Sequence, residues 1–135
     1  MKKLLLILVT MCAFTSCAPV FTEKTYVLNF KDYTDDSFKI IPFDYSGDFE
    51  VLGVISNKFT EGKPSKKEDE SKVYLKSESP LLWGVKLDYI MKKTIEDAKK
   101  LGANGLAKFE LVSECKNGGQ INTYTVSGVA VKFKE

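Results

Sequence analysis

The chain has 135 residues, with 20 lysines against 18 acidic residues, no arginine, no histidine and a formal charge of +2. Without histidine it lacks the commonest general base, the Ser-His and Cys-His nucleophile pairs and the imidazole ligand of transition metals. Without arginine it lacks the bidentate fork suited to phosphate and carboxylate, and a charge so near zero offers nothing to nucleic acid.

The chain opens with Lys2 and Lys3, an apolar run from Leu4 to Val9, and then Ala13-Phe14-Thr15-Ser16-Cys17. This is the three-part layout of a secretory signal. A spanning helix needs about 20 apolar residues, and this apolar stretch ends near Ala13. A cysteine directly after small residues adds the thiol that lipid transfer requires, so residues 1–16 read as a lipoprotein signal peptide and Cys17 as the lipidation site. Phe14 departs from the leucine usual at the first position of that motif. Two or more acyl chains give stable anchoring, and a diacylglyceryl thioether on Cys17 meets that need. Cys17 is followed by Ala18-Pro19-Val20 with no aspartate at the second position, which by resemblance to known sorting signals favours the outer membrane, and with no acidic export tag, which favours its periplasmic face.

Removing residues 1–16 leaves 119 residues with 18 lysines and 18 acids, enough for one domain with one core. Residues 17–24 are expected to be the lipidated cysteine and a tether, and 25–135 a single domain. Thr25 to Phe30 is rich in β-formers and predicts a first strand. Phe38 to Ile41 predicts a second, ended by Pro42, and Asp44 to Asp48 a turn. Phe49 to Phe59 places Phe49, Val51, Gly53 and Ile55 on one face and Leu52 and Val54 on the other, so this strand is expected to be central. Thr60 to Lys72 mixes both charges with almost no apolar residue and reads as a solvated loop.

Ser79-Pro80 carries the signature of a helix start. Leu87, Met91, Thr94, Ala98 and Leu101 then recur at helical spacing opposite a lysine-rich face, and Gly102 supplies a left-handed stop. Ala107, Phe109, Leu111 and Cys115 alternate with Lys108, Glu110 and Glu114 in the next strand. Asn117-Gly118 predicts a hairpin turn. The return strand, Ile121 to Phe133, sets Val126, Gly128 and Ala130 on one face and Val129, Val131 and Phe133 on the other. Gly128 is expected to let the helix lie close to the sheet, and the second face to need cover from the N-terminal strands or another subunit. The expected class is α+β, an antiparallel sheet of four or five strands with one main helix on one face.

The string from Ala98 to Gly105, AKKLGANG, followed by a hairpin and then Val126-Ser127-Gly128-Val129-Ala130-Val131, resembles the YbjQ family, often labelled putative heavy-metal-binding, and the related RcsF-type envelope lipoproteins. The resemblance covers about residues 49–134. Gly105 and Val129 depart from the family's usual small alkyl residue and threonine, and residues 25–43 have no counterpart. It implies a helix on an antiparallel sheet and ring-like oligomers, while the disulfides of the RcsF branch have no cysteines here to form them.

These residues lead to the expectation of a non-catalytic, membrane-anchored envelope lipoprotein that binds, senses or assembles through its surfaces. Its expected partners are the bilayer at Cys17, an envelope protein and a possible second copy of itself, with no cofactor. One alternative is a metal module, which would need Cys115 from several subunits because one thiol and no imidazole make no site in a monomer. Another is a hydrolase using carboxylates such as Asp44, Asp48 and Asp88, though no spacing selects a pair.

Overall fold

The computed structural model describes residues 27–76, 81–116 and 121–134. The signal peptide, Cys17, the Ser79-Pro80 pair and the Asn117-Gly118 turn lie outside them. The elements are β1 (Lys39–Ile41), β2 (Phe49–Thr60), β3 (Val73–Leu75), β4 (Trp83–Val85), α1 (Leu87–Lys100), β5 (Gly105–Lys116) and β6 (Ile121–Phe133). Short 3-10 helices span Phe30–Asp32 and Lys67–Lys72. The main sheet has the order β1-β5-β6-β2, and β3 and β4 form a separate two-stranded sheet.

The class is α+β, as expected, but the main sheet is mixed. β1 runs parallel to β5, with Lys39 opposite Gly105, while β5–β6 and β6–β2 are antiparallel. The helix packs on one face over a core of Ile90, Met91 and Ala98 from α1 with Ile55, Leu106, Phe109, Val126 and Ala130 from the sheet. On the opposite face Ala107, Val131 and Phe133 form a smaller cluster with Ile41, Phe49 and Val129. Tyr45 lays its ring edge-on to Phe133, with centroids 4.9 Å apart, so segment 41–49 covers one end of that second face.

Four expectations are corrected. The described part of Thr25 to Phe30 contains no strand; Leu28 and Phe30 pack against the core from irregular chain and a 3-10 turn. α1 begins at Leu87 rather than Pro80, because Trp83–Val85 pairs with Val73–Leu75 and a residue committed to a ladder cannot also be helical. β2 is an edge strand. A bulge at Leu52 brings Leu52 and Gly53 to the helix side and leaves Val51 and Val54 on the other face, 59% and 74% exposed. In β5 the register shifts between Ala107 and Glu110, where Lys108 has φ +51°, so Ala107 faces away from Phe109 and Leu111.

The end of α1 meets the sequence reading. Gly102 adopts φ +83°, its N–H donates to Lys99 O at 2.9 Å, and the Ala103 N–H donates to Ala98 O at 3.2 Å. These are the paired bonds of a Schellman motif, which satisfy carbonyls the helix leaves open. Asn104 follows, and its side chain acts as an extra peptide group. It accepts from Phe133 N at 2.7 Å and donates to Phe133 O at 3.2 Å, pinning the helix exit to the last residue of β6.

Candidate functional site

The sequence-selected residues do not converge on one place. Cys17 is outside the described residues. Cys115 is an exposed free thiol near the far end of β5, and among the described residues no three His, Cys, Asp or Glu side chains are grouped as metal ligands. Asp88 opens α1 and pairs with Lys92 at 2.9 Å, while Asp44 pairs with Lys108 at 2.9 Å on the edge of the β5 bulge. Asp48 offers its backbone carbonyl to Lys134 N. The Asp44 and Asp88 carboxylates are thus engaged in separate ion pairs.

Gly128 lies on the core face of β6, as expected, but what it makes room for is β5. A Cβ there would stand 3.3 Å from Leu106 Cδ2 and 3.6 Å from Ala107 O, with no helix atom among its nearest contacts. The glycine that meets the helix is Gly53, where a Cβ would come 3.3 Å from Leu101 Cδ1.

The most elaborate polar constellation is one the sequence did not announce. Glu61, the second residue of the loop expected to be solvated, is buried, its side chain only 2% exposed. Its backbone N–H donates to Asn122 O at 3.0 Å, and its carboxylate accepts from Asn122 N at 2.8 Å, Lys76 Nζ at 2.5 Å and Tyr124 Oη at 3.4 Å. Burying a carboxylate is costly unless it is paired and hydrogen-bonded, and these donors supply the partners. The cluster ties the end of β2 to the start of β6 and to the chain leaving β3. With its acceptors directed at the protein's own donors, it serves as a joint between the two sheets.

A second network joins α1 to β2. Asn57 donates to Thr94 Oγ1 at 3.4 Å and to Asp97 Oδ2 at 3.3 Å, and Asp97 is paired with Lys93 and Lys100. The hydrogen bond from Lys93 holds the Asp97 carboxyl below the usual carboxylate range, Asn57 and Lys100 add to this, and partial burial opposes it. Glu50, Asn104, Lys132, Phe133 and Lys134 line an open hollow of about 380 Å³. Both charge signs occur on its wall, and Asn104 is already bonded to Phe133.

The remaining conspicuous surface is apolar. On the sheet face away from α1, Val51 lies opposite Val131, and Val54 opposite Val129, which in turn faces Ala107. Phe43 and Tyr45, on the segment that crosses the end of this face, are 77% and 43% exposed. Sequence alternation in β6 identified the face as apolar, and the bulge in β2 adds Val51 and Val54 to it, both exposed, while Val131 is buried.

No family model matches the chain, and no curated protein matches it. Among solved structures it is similar to a crystal structure from Pediococcus pentosaceus ATCC 25745 of a protein of unknown function in the DUF74 family. The TM-score is 0.49 at 16% identity, and the match covers 72% of this chain and 98% of that one.

Proposed function

We propose that this chain is a non-catalytic envelope lipoprotein, anchored through Cys17 and working as a binding, sensing or assembly module by way of its surfaces. The observation that carries this reading is the N-terminal order of Lys2-Lys3, the apolar run from Leu4, and Cys17 directly after Thr15-Ser16, which joins an export signal to an acylation site. No helix among the described residues is long and apolar enough to cross a membrane, so in this reading the lipid is what holds the folded domain at the bilayer. A surface role is supported by an apolar sheet face bearing exposed valines and by polar clusters whose groups bond to one another. The outer membrane, facing the periplasm, is the proposed address.

The test is Cys17→Ser in the full chain, followed by fractionation. The parent should remain with membranes through high-salt and carbonate washes, and the variant should appear in the soluble fraction. Retention of the variant in the washed membrane would end the lipoprotein reading.

A further inference from the structure

The sheet face opposite α1 carries three successive rows that are apolar from β2 to β5: Phe49 and Phe133; Val51, Val131 and Gly105; Val54, Val129 and Ala107, with the exposed Lys39 of β1 beside Gly105 at their far edge. On β2, β5 and β6 the next row brings the first charge, with Glu110 beside Ser127 and Ser56. One end of the face is crossed by segment 41–49, on which Phe43 and Tyr45 are exposed and Asp44 pairs at the surface with Lys108. Val131, Ala107 and Phe133 are buried, so the uncovered part of the face is its β2 margin, where Val51 and Val54 are 59% and 74% exposed, together with the exposed rings of Phe43 and Tyr45. Rings of this kind are favoured at a bilayer interface, and an uncovered apolar patch on a folded domain marks a contact surface.

We propose that this face lies against the bilayer that holds Cys17, an inference that rests on the lipoprotein reading above. Nine residues, and so ten Cα-to-Cα steps, separate Cys17 from Val27, where the described domain begins. Fully extended they reach at most about 35 Å. A folded unit of about 100 residues has a radius of gyration near 13 Å, so the domain cannot retreat from the surface by much more than its own diameter. Tethering turns docking into an intramolecular event at high effective concentration. A patch too small to bring a free protein to lipid is then enough to orient an anchored one. A second copy has no such advantage, because it must arrive by diffusion while the bilayer is always within reach.

The experiment uses the full, lipidated chain in phosphatidylethanolamine–phosphatidylglycerol vesicles with brominated acyl chains. In a Trp83→Phe background, one reporter tryptophan is placed by Val54→Trp or Phe43→Trp on the proposed face, and by Lys92→Trp on the exposed side of α1. Circular dichroism confirms folding, and the two reporters on the face stand in for each other should one fail to fold. We expect blue-shifted emission and strong bromolipid quenching at 54 and 43, and neither at 92. Equal quenching at all three positions would overturn the docking while leaving the anchor intact. A blue shift that follows protein density rather than bromolipid content would also overturn it, showing a second copy on the face. Intact mass tests the anchor separately: a chain without a diacylglyceryl adduct would remove the reading on which the inference stands.

Discussion

Gly102 and Asp97 show how single positions carry defined parts of the fold. At Gly102 a Cβ would meet no atom within 4 Å, yet φ is +83°, so the cost of any other residue is conformational rather than steric. Gly102→Ala is expected to destabilise the domain by about 1–2 kcal/mol, read as a lower urea midpoint with unchanged slope. Gly105 is the opposite case: a Cβ there would run into the Phe133 ring and come within 2.8 Å of the Lys39 carbonyl, so its constraint is the close approach of that ring and of β1. For Asp97 the folded-state pKa lies below the unfolded value. Its contribution is therefore fully present above the unfolded pKa and lost as pH falls through the folded one. Asp97→Asn should lower the melting temperature at neutral pH, and the variant and parent curves should converge in acid.

At the scale of elements, the ends governed by local chemistry were legible, and those governed by distant pairing were not. The C-terminus of α1 could be read because glycine and two last-turn lysines act within one turn. Its N-terminus could not, since Trp83–Val85 is claimed by β3, a partner set by tertiary contact. The alternation in β2 and β5 was visible but broke at two bulges, one at Leu52 and one at Lys108, and each bulge flips every later side chain to the other face. The core face of β6 was read correctly, while the neighbour that makes Gly128 small was misassigned. Gly128→Leu should accordingly clash with Leu106 across the β5–β6 ladder and cost roughly 1–3 kcal/mol, the range for overpacking. Urea denaturation checks it, and a variant as stable as the parent would mean that this face is not packed.

The described residues form two sheets, and one joint between them is the pairing of Glu61 with Lys76. Composition hid it, because TEGKPSKKEDESK reads as solvated charge and Glu61 differs from its neighbours only in lying opposite Asn122 and Tyr124 when β2 and β6 pair. A buried pair of this kind adds little over a well-packed apolar substitute, but removing one partner strands the other, typically at about 3–5 kcal/mol. The more deeply buried member is Glu61, at 2% side-chain exposure against 18% for Lys76. Lys76→Met would leave the carboxylate held by only Asn122 N and Tyr124 Oη, so it should fall near the lower end of that range. Glu61→Leu should also destabilise, since Asn122 N then loses its acceptor. The double variant should cost clearly less than the sum of the two singles, because the buried carboxylate that Lys76→Met deprives of its ammonium is absent from it. Urea melts of the four proteins give the coupling directly. Additive losses would mean that the ammonium and the carboxylate do not depend on each other, and that the small sheet is held to the large one by apolar contacts such as that of Val85 with the core.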